Sequence, residues 1–292
     1  MPQSLEKFTV YIAPGLFVLL WASGFIGAKF GLPYVEPLTF LTLRMAALVV
    51  ILAALSLITR PQWPNAAGFG HSIIAGLLVH GVYLGGVFIA IDRKLPAGLS
   101  ALVVSLQPVL TSTIANRLLG ERVIARQWLG LVLGMLGVYL VVADKTVTGE
   151  ATVLGWAAAI CALIGITLGT LYQKRYGGGI DWRCALTIQY AASGILFASG
   201  AFLFENRTIH WSIELFGALA WLIFVLSLGA VWLFYFMIRH AAATRVTSLF
   251  YLTPPVTALM AWFMFGERLG ALALVGMAVC VAGVFLVNWR VR

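Results

Sequence analysis

Residues 106–122 read LQPVLTSTIANRLLGER, and residues 252–268 read LTPPVTALMAWFMFGER. A single shift of 146 carries Pro108 onto Pro254, Gly120-Glu121-Arg122 onto Gly266-Glu267-Arg268, Gly130 onto Gly276 and Gly137 onto Gly283. Between Leu106 and Val141 this shift gives 13 identities in 36 positions, and 146 is half of the 292 residues. The chain therefore reads as one unit written twice, 1–146 and 147–292. The unit is almost wholly apolar, and duplicated apolar units are a signature of membrane transporters.

Composition points the same way. Apolar residues make up 62% of the chain and charged residues 10%, where an ordinary soluble chain carries about 25% charged residues. Lipid must be the solvent over most of the surface. A net charge of +9 would suggest nucleic acid as the partner of a soluble protein. Here the basic residues stand between apolar runs, so they read as a topology signal and no nucleic-acid partner is expected. Cys161, Cys184 and Cys280 show no CxxC spacing, which leaves no metal or disulfide framework to expect. The first apolar run follows a short polar start with Glu6 and Lys7 and belongs to the repeat, so it reads as a retained helix.

About 20 helical residues cross a hydrocarbon core. Ten runs of that order can be drawn, at 10–29, 37–58, 69–90, 97–117, 124–143, 152–174, 183–204, 213–238, 244–265 and 269–288. Proline-rich or polar turns separate them, among them Leu32–Pro37, Arg60–Pro64, Asp92-Arg93-Lys94, Asp144-Lys145, Gly177-Gly178-Gly179 and Glu205-Asn206-Arg207. Their length and lack of alternation exclude barrel strands. With the N-terminus inside, twelve Lys and Arg fall in inside loops and six in outside ones, with Arg44 left within a span. This bias places both termini in the cytoplasm. Five spans per half is an odd number, so the second half must enter from the opposite side. The expected architecture is an all-α membrane protein of ten transmembrane helices, as two inverted five-helix repeats built for alternating access.

The two proline-bearing runs that end in Gly-Glu-Arg, the glycine-spaced run after each, and Trp21 through Lys29 resemble the drug/metabolite transporter superfamily, in its ten-helix EamA-type branch. Within it the chain looks most like the amino-acid exporters of the YddG type. The resemblance covers essentially the whole chain, and is specific for the fold and weak for the substrate. It implies a cavity lined by helices 1, 3, 4, 6, 8 and 9, braced by 5 and 10. It also implies an inner-membrane exporter of small metabolites, most of all amino acids, aromatic or other neutral ones included. The expected partners are that small-molecule substrate and the bilayer, with no cofactor and no metal, and with a monomer as one option. The alternatives are a multidrug or nucleotide-sugar transporter of the same superfamily.

Candidate residues follow. Trp21, Tyr83, Trp232 and Tyr251 fall in spans that the resemblance places around the cavity, and with His80 and Gln107 they could form an amphipathic substrate pocket. For each aromatic, core packing is as good a reading as ligand contact. His80 is ionisable in mid-span, which points to a wet or polar interior, or else to a neutral imidazole bonded to a nearby carbonyl. Pro108 and Pro254 would free the carbonyls of Val104 and Phe250, either as matched hinges or as packing features. Gly130, Gly134 and Gly137 form one small-residue face with counterparts Gly276, Cys280 and Gly283, which reads as helix packing. Arg44 lies about 10 Å into its run at 1.5 Å per residue, and the matching region of the seventh run carries Gln189 in place of a charge. It could snorkel, pair with a helix end or bind a carboxylate.

No Asp or Glu falls in mid-span. This argues against proton-driven export of cations and against sodium coupling through carboxylates. The one enzymatic option is an intramembrane serine hydrolase pairing Ser193 with His80. It is disfavoured, because serine beside glycine is common at helix contacts, and no enzyme activity is expected.

Overall fold

A computed structural model describes residues 3–95, 97–143, 152–265 and 270–289. Gly266-Glu267-Arg268, Asp144, Lys145, Glu150, Arg290 and Arg292 lie outside the described residues, as do the side chains of Glu6, Lys7 and Lys29.

The described residues are helical throughout, apart from loops and one isolated bridge between Val35 and Ile209. Ten rods follow one another: α1 Gln3–Gly31, α2 Pro37–Thr59, α3 Ala66–Asp92, α4 in two pieces, Ala97–Val104 and Gln107–Leu119, and α5 Ala125–Ala143. Then come α6 Val153–Tyr176, α7 Trp182–Phe204, α8 Ile213–His240, α9 in three pieces, Ala243–Ser248, Leu249–Leu252 and Thr253–Phe265, and α10 Ala271–Asn288. Eight are long and apolar enough to cross a membrane. The other two, α1 and α5, contribute the shorter apolar stretches Ile12–Ala28 and Ala125–Val141.

Local chemistry sets the ends. Pro37 opens α2 at a position where a missing N–H costs nothing. Asn65, Thr152 and Ser212 accept from backbone N–H groups at the starts of α3, α6 and α8. Gly120 closes α4 in the left-handed region, at φ 67°, where its N–H reaches the Ala115 carbonyl.

The proline-bearing rods differ from the sequence expectation. Neither Pro108 nor Pro254 sits inside a continuous α-helix. After a turn at Ser105 and Leu106, α4 restarts at Gln107, and α9 restarts at Thr253 after a 3-10 turn over Leu249–Leu252. Each proline thus falls in the first turn of a new helix, where its missing N–H has no helical acceptor to lose. The two restarted pieces, Gln107–Leu119 and Thr253–Phe265, coincide under the shift of 146.

Contacts divide the chain into two compact units. The first holds Met1–Ile26, Ala97–Thr148 and Leu228–Arg292, and the second Gly27–Pro96 and Gly149–Ser227. Each draws on both halves of the sequence.

In the first unit α5 and α10 meet backbone to backbone. A Cβ at Gly137 would stand 2.5 Å from the Cys280 nitrogen, and one at Gly283 would stand 2.6 Å from the Gly130 carbonyl oxygen. A Cβ at Gly276 would stand 2.7 Å from the Gly137 oxygen. Small residues permit this approach. The carboxylate of Glu121 accepts from Ala243 N at 2.9 Å, closing the start of α9.

In the second unit α2 packs on α7 and α3 on α6. Glu205, at the end of α7, accepts from Leu38 N and Thr39 N at 2.7 Å each, and so caps α2 from another rod.

Replacing Gly137 with alanine should destabilise the protein by about 1–3 kcal/mol, because the added methyl meets backbone that cannot swing away. Gly217→Ala, where a Cβ meets nothing within 4 Å, should leave stability unchanged. Thermal unfolding of the two variants in detergent checks both, and equal melting temperatures would remove the tight α5–α10 seam.

Candidate functional site

Four of the expected contact residues lie in the first unit. Trp21 is buried in an aromatic cluster, with ring centroids 5.2 Å from Phe17, 5.7 Å from Phe234 and 5.2 Å from Phe250. Trp232 is half-buried and stacks on Phe236. Gln107 is buried at the restart of α4. Tyr251 is fully buried with its ring laid over Gly134 of α5, and its hydroxyl has no hydrogen-bond partner. The missing side chain at Gly134 is what makes room for that ring. Gly134 therefore serves Tyr251 as well as the α5–α10 seam, where the Cβ of Gly283 would lie 2.5 Å from its nitrogen.

His80 and Tyr83 lie in the second unit, and a buried polar network surrounds them. His80 is 2% exposed and sits in a π-helical stretch of α3, Leu77–Val82. Its ring packs against Tyr190 of α7 at 4.6 Å and is hydrogen-bonded to the Gln189 side chain. Gln189 in turn donates to the Gln173 side-chain oxygen on α6 at 3.2 Å. The Tyr190 hydroxyl donates to the Ser227 carbonyl of α8 at 2.8 Å. The Ser227 hydroxyl accepts twice from Arg44 of α2, from Nε at 3.0 Å and from Nη2 at 2.7 Å. Arg44 is 2% exposed. It neither snorkels nor pairs with a helix end. Tyr83 lies within electrostatic range of its guanidinium.

The sequence singled out Arg44, His80 and Gln189 but not the partners that join them. Ser227 carried a signal, as the only hydroxyl in the apolar run 221–230. Its position in a second π-helical stretch, Trp221–Ala230, carried none. Shifted by 146, residues 77–82 fall within 221–230, so both stretches occupy matching places in the two halves. π-helical turns are rare and recur at functional sites.

Described carboxylates stand at helix ends: Glu36, Asp181 and Glu205 as capping residues, Asp92 at the end of α3, Glu121 just past α4, and Glu214 in the first turn of α8. No group of three or more metal-ligating side chains occurs among the described residues. The Ser193 hydroxyl donates to the Gly76 carbonyl at 3.0 Å, so it is not paired with His80 as a nucleophile would be.

Comparison with known proteins gives the context. The family model described as EamA-like transporter family matches residues 11–143 and again 153–289. A protein named uncharacterized transporter YvbV, from Bacillus subtilis, is 28% identical over 99% of this chain and 94% of its own length. A protein of Escherichia coli named probable amino-acid metabolite efflux pump is 25% identical, over 94% of both chains. An E. coli protein named uncharacterized inner membrane transporter YedA is 24% identical, over 92% of this chain and 87% of its own. A crystal structure at 19% identity superposes over 95% of both chains with a TM-score of 0.77, which fixes a shared fold.

Ser193→Ala should lose about 0.5–1.5 kcal/mol of stability with its one hydrogen bond, and keep wild-type transport per folded molecule. Abolished activity at normal folded yield would revive the serine–histidine pairing.

Proposed function

The chain is a membrane transporter of the EamA-like family, and on that premise we propose that it exports small metabolites, amino acids first among them, from bacterial cytoplasm across the inner membrane. The observation that carries the substrate class is its full-length similarity to a protein named for amino-acid metabolite efflux. The buried polar groups of the second unit support the reading, because ionisable side chains inside a membrane are expensive and mark substrate paths.

The mechanism proposed is alternating access between two inverted five-helix repeats, 1–146 and 147–292, forming ten spans with both termini in the cytoplasm. His80 and Tyr83 are the proposed substrate contacts favoured by their polar surroundings. Trp21, Gln107, Trp232 and Tyr251 are proposed with them, each also having a packing role. The helix restarts at Pro108 and Pro254 are the proposed hinges. With carboxylates at helix ends only, among the described residues, the proposal is exchange driven by the substrate gradient.

Purified protein in liposomes, screened with radiolabelled amino acids, should exchange at least one of them at a rate unaffected by an imposed pH gradient. Acceleration by the pH gradient would overturn exchange driven by the substrate gradient alone, and no flux across the panel would overturn the substrate class. Epitope tags placed after residues 122 and 268 should be reached from opposite faces. Access from one face would remove the inverted repeat. Pro108→Ala combined with Pro254→Ala should slow flux more than it lowers folded yield, and unchanged flux would remove the hinges.

A further inference from the structure

Arg44 is an arginine with nowhere to put its charge. Its guanidinium carries five N–H donors and no acceptor. The Ser227 hydroxyl takes Nε and one donor of Nη2, and Nη1 has no partner although it is buried. No carboxylate among the described residues pairs with it. A hydroxyl is neutral and cannot balance a cation, and burying an unbalanced charge costs several kcal/mol. The guanidinium does not unfold α2 to escape. Instead Ser227 fixes one edge of its plane and leaves the Nη1 edge open.

The surroundings repeat the pattern. His80 Nε2 is buried without a partner. His80 packs on Tyr190, whose hydroxyl is held by the same Ser227 that holds Arg44. Two unpartnered polar atoms thus flank a single tyrosine. Both elements involved, Leu77–Val82 and Trp221–Ala230, are π-helical. The neighbourhood is buried and polar, and its free donors are those of the Arg44 guanidinium.

We propose that Arg44 is the anchor for the carboxylate of the transported molecule, with Ser227 holding the guanidinium so that Nη1 and the remaining Nη2 hydrogen form a fork. Planar two-point recognition of a carboxylate is what that fork does best. The charge count selects the ligand class. Arg44 is the one permanent cation in the cluster, so it balances one negative charge, which fits a monocarboxylate and leaves a phosphate dianion half neutralised. Ser227 is a positioning residue in this arrangement. Arg44 is closed off in this conformation, so the ligand reaches it in another state of the transport cycle. The inference rests on the amino-acid reading only for the identity of the cargo, since a carboxylate is the group that all amino acids share.

The test is binding, kept separate from transport. Full-length protein in lipid nanodiscs is melted in the presence of each of the proteinogenic amino acids, their deaminated acids, their amides, and inorganic phosphate. Carboxylate-bearing probes should raise the melting temperature of the wild type, while the amide of the same side chain and phosphate should not. Arg44→Gln should abolish the carboxylate-specific shift. Arg44→Lys keeps the charge but loses the fork, and it covers the case in which the glutamine variant does not fold. Its half-saturating concentration should rise about tenfold or more, as expected for one lost charge-assisted hydrogen bond. Four results would each overturn the proposal: no shift with any carboxylate, equal shifts with acids and amides, a phosphate-specific shift, or wild-type affinity in either variant. If carboxylates bind through Arg44 but no amino acid is exchanged in liposomes, the functional reading fails and this inference stands. Amino-acid exchange with unaltered carboxylate binding in the variants gives the converse.

Discussion

Hydrocarbon offers no hydrogen-bond partners, so every backbone N–H and C=O within it must be satisfied by the chain itself. That constraint explains where the acids went. Among the described residues, carboxylates stand at helix ends, and several of them accept from backbone donors. Glu205 holds Leu38 N and Thr39 N, Asp181 holds Arg183 N, and Glu121 holds Ala243 N. Two of these caps reach from one rod to the start of another. They are cross-links between helices as much as terminations, each setting an anion against the positive end of a helix dipole. Among the described residues, none of these acids pairs with the buried cation of α2, which is held by Ser227 instead.

The same constraint makes deviations from the regular α-ladder conspicuous. Four rods deviate: α3 and α8 by π-helical stretches, α4 by a turn and α9 by a 3-10 turn. They fall in pairs at matching places of the two sequence halves. Deviations retained twice at the same place are hard to attribute to accident, since each gives up regular hydrogen bonding in a medium that does not replace it. In the second unit the cost is joined to chemistry. The π-helical stretches carry His80 and Ser227, and these bind the ring of Tyr190 and the side chain of Arg44. The polar network thus joins residues of regular helices, Arg44, Gln173, Gln189 and Tyr190, to two residues of π-helical stretches, His80 and Ser227.

This explains what could be read in advance. The rods and their breaks were legible, because apolar length and Pro, Gly and Asn punctuation are local properties. The α5–α10 seam was legible too, since Gly130, Gly134, Gly137, Gly276 and Gly283 have little use other than close approach. The place of Pro108 in its rod is not legible in the sequence. A proline within a long apolar run looks like an interior kink, and only the backbone reveals that the helix ends at Val104 and restarts at Gln107. The lone hydroxyl of the run 221–230 marks Ser227 in the sequence, but its partner Arg44 lies 183 positions away and is not legible there. Apolar periodicity was no guide to partners, since helices that are hydrophobic on most faces do not announce which face meets protein and which meets lipid.

The compact units and the sequence halves are different objects, and the difference bears on motion. The family model matches the chain twice, over 11–143 and 153–289, whereas packing groups segments from both matches into each unit. What holds its shape during a conformational change is set by packing, because packed interiors are stiff and do not deform continuously. The chain passes between the units inside two helices, at Ile26–Gly27 in α1 and at Ser227–Leu228 in α8. The second passage lies within the π-helical stretch Trp221–Ala230, where the ladder is already irregular. Ser227, which steadies the guanidinium of Arg44, is thus the last residue of its unit. A change of backbone geometry at that point would act directly on the hydrogen bonds that Ser227 accepts from Arg44 and Tyr190.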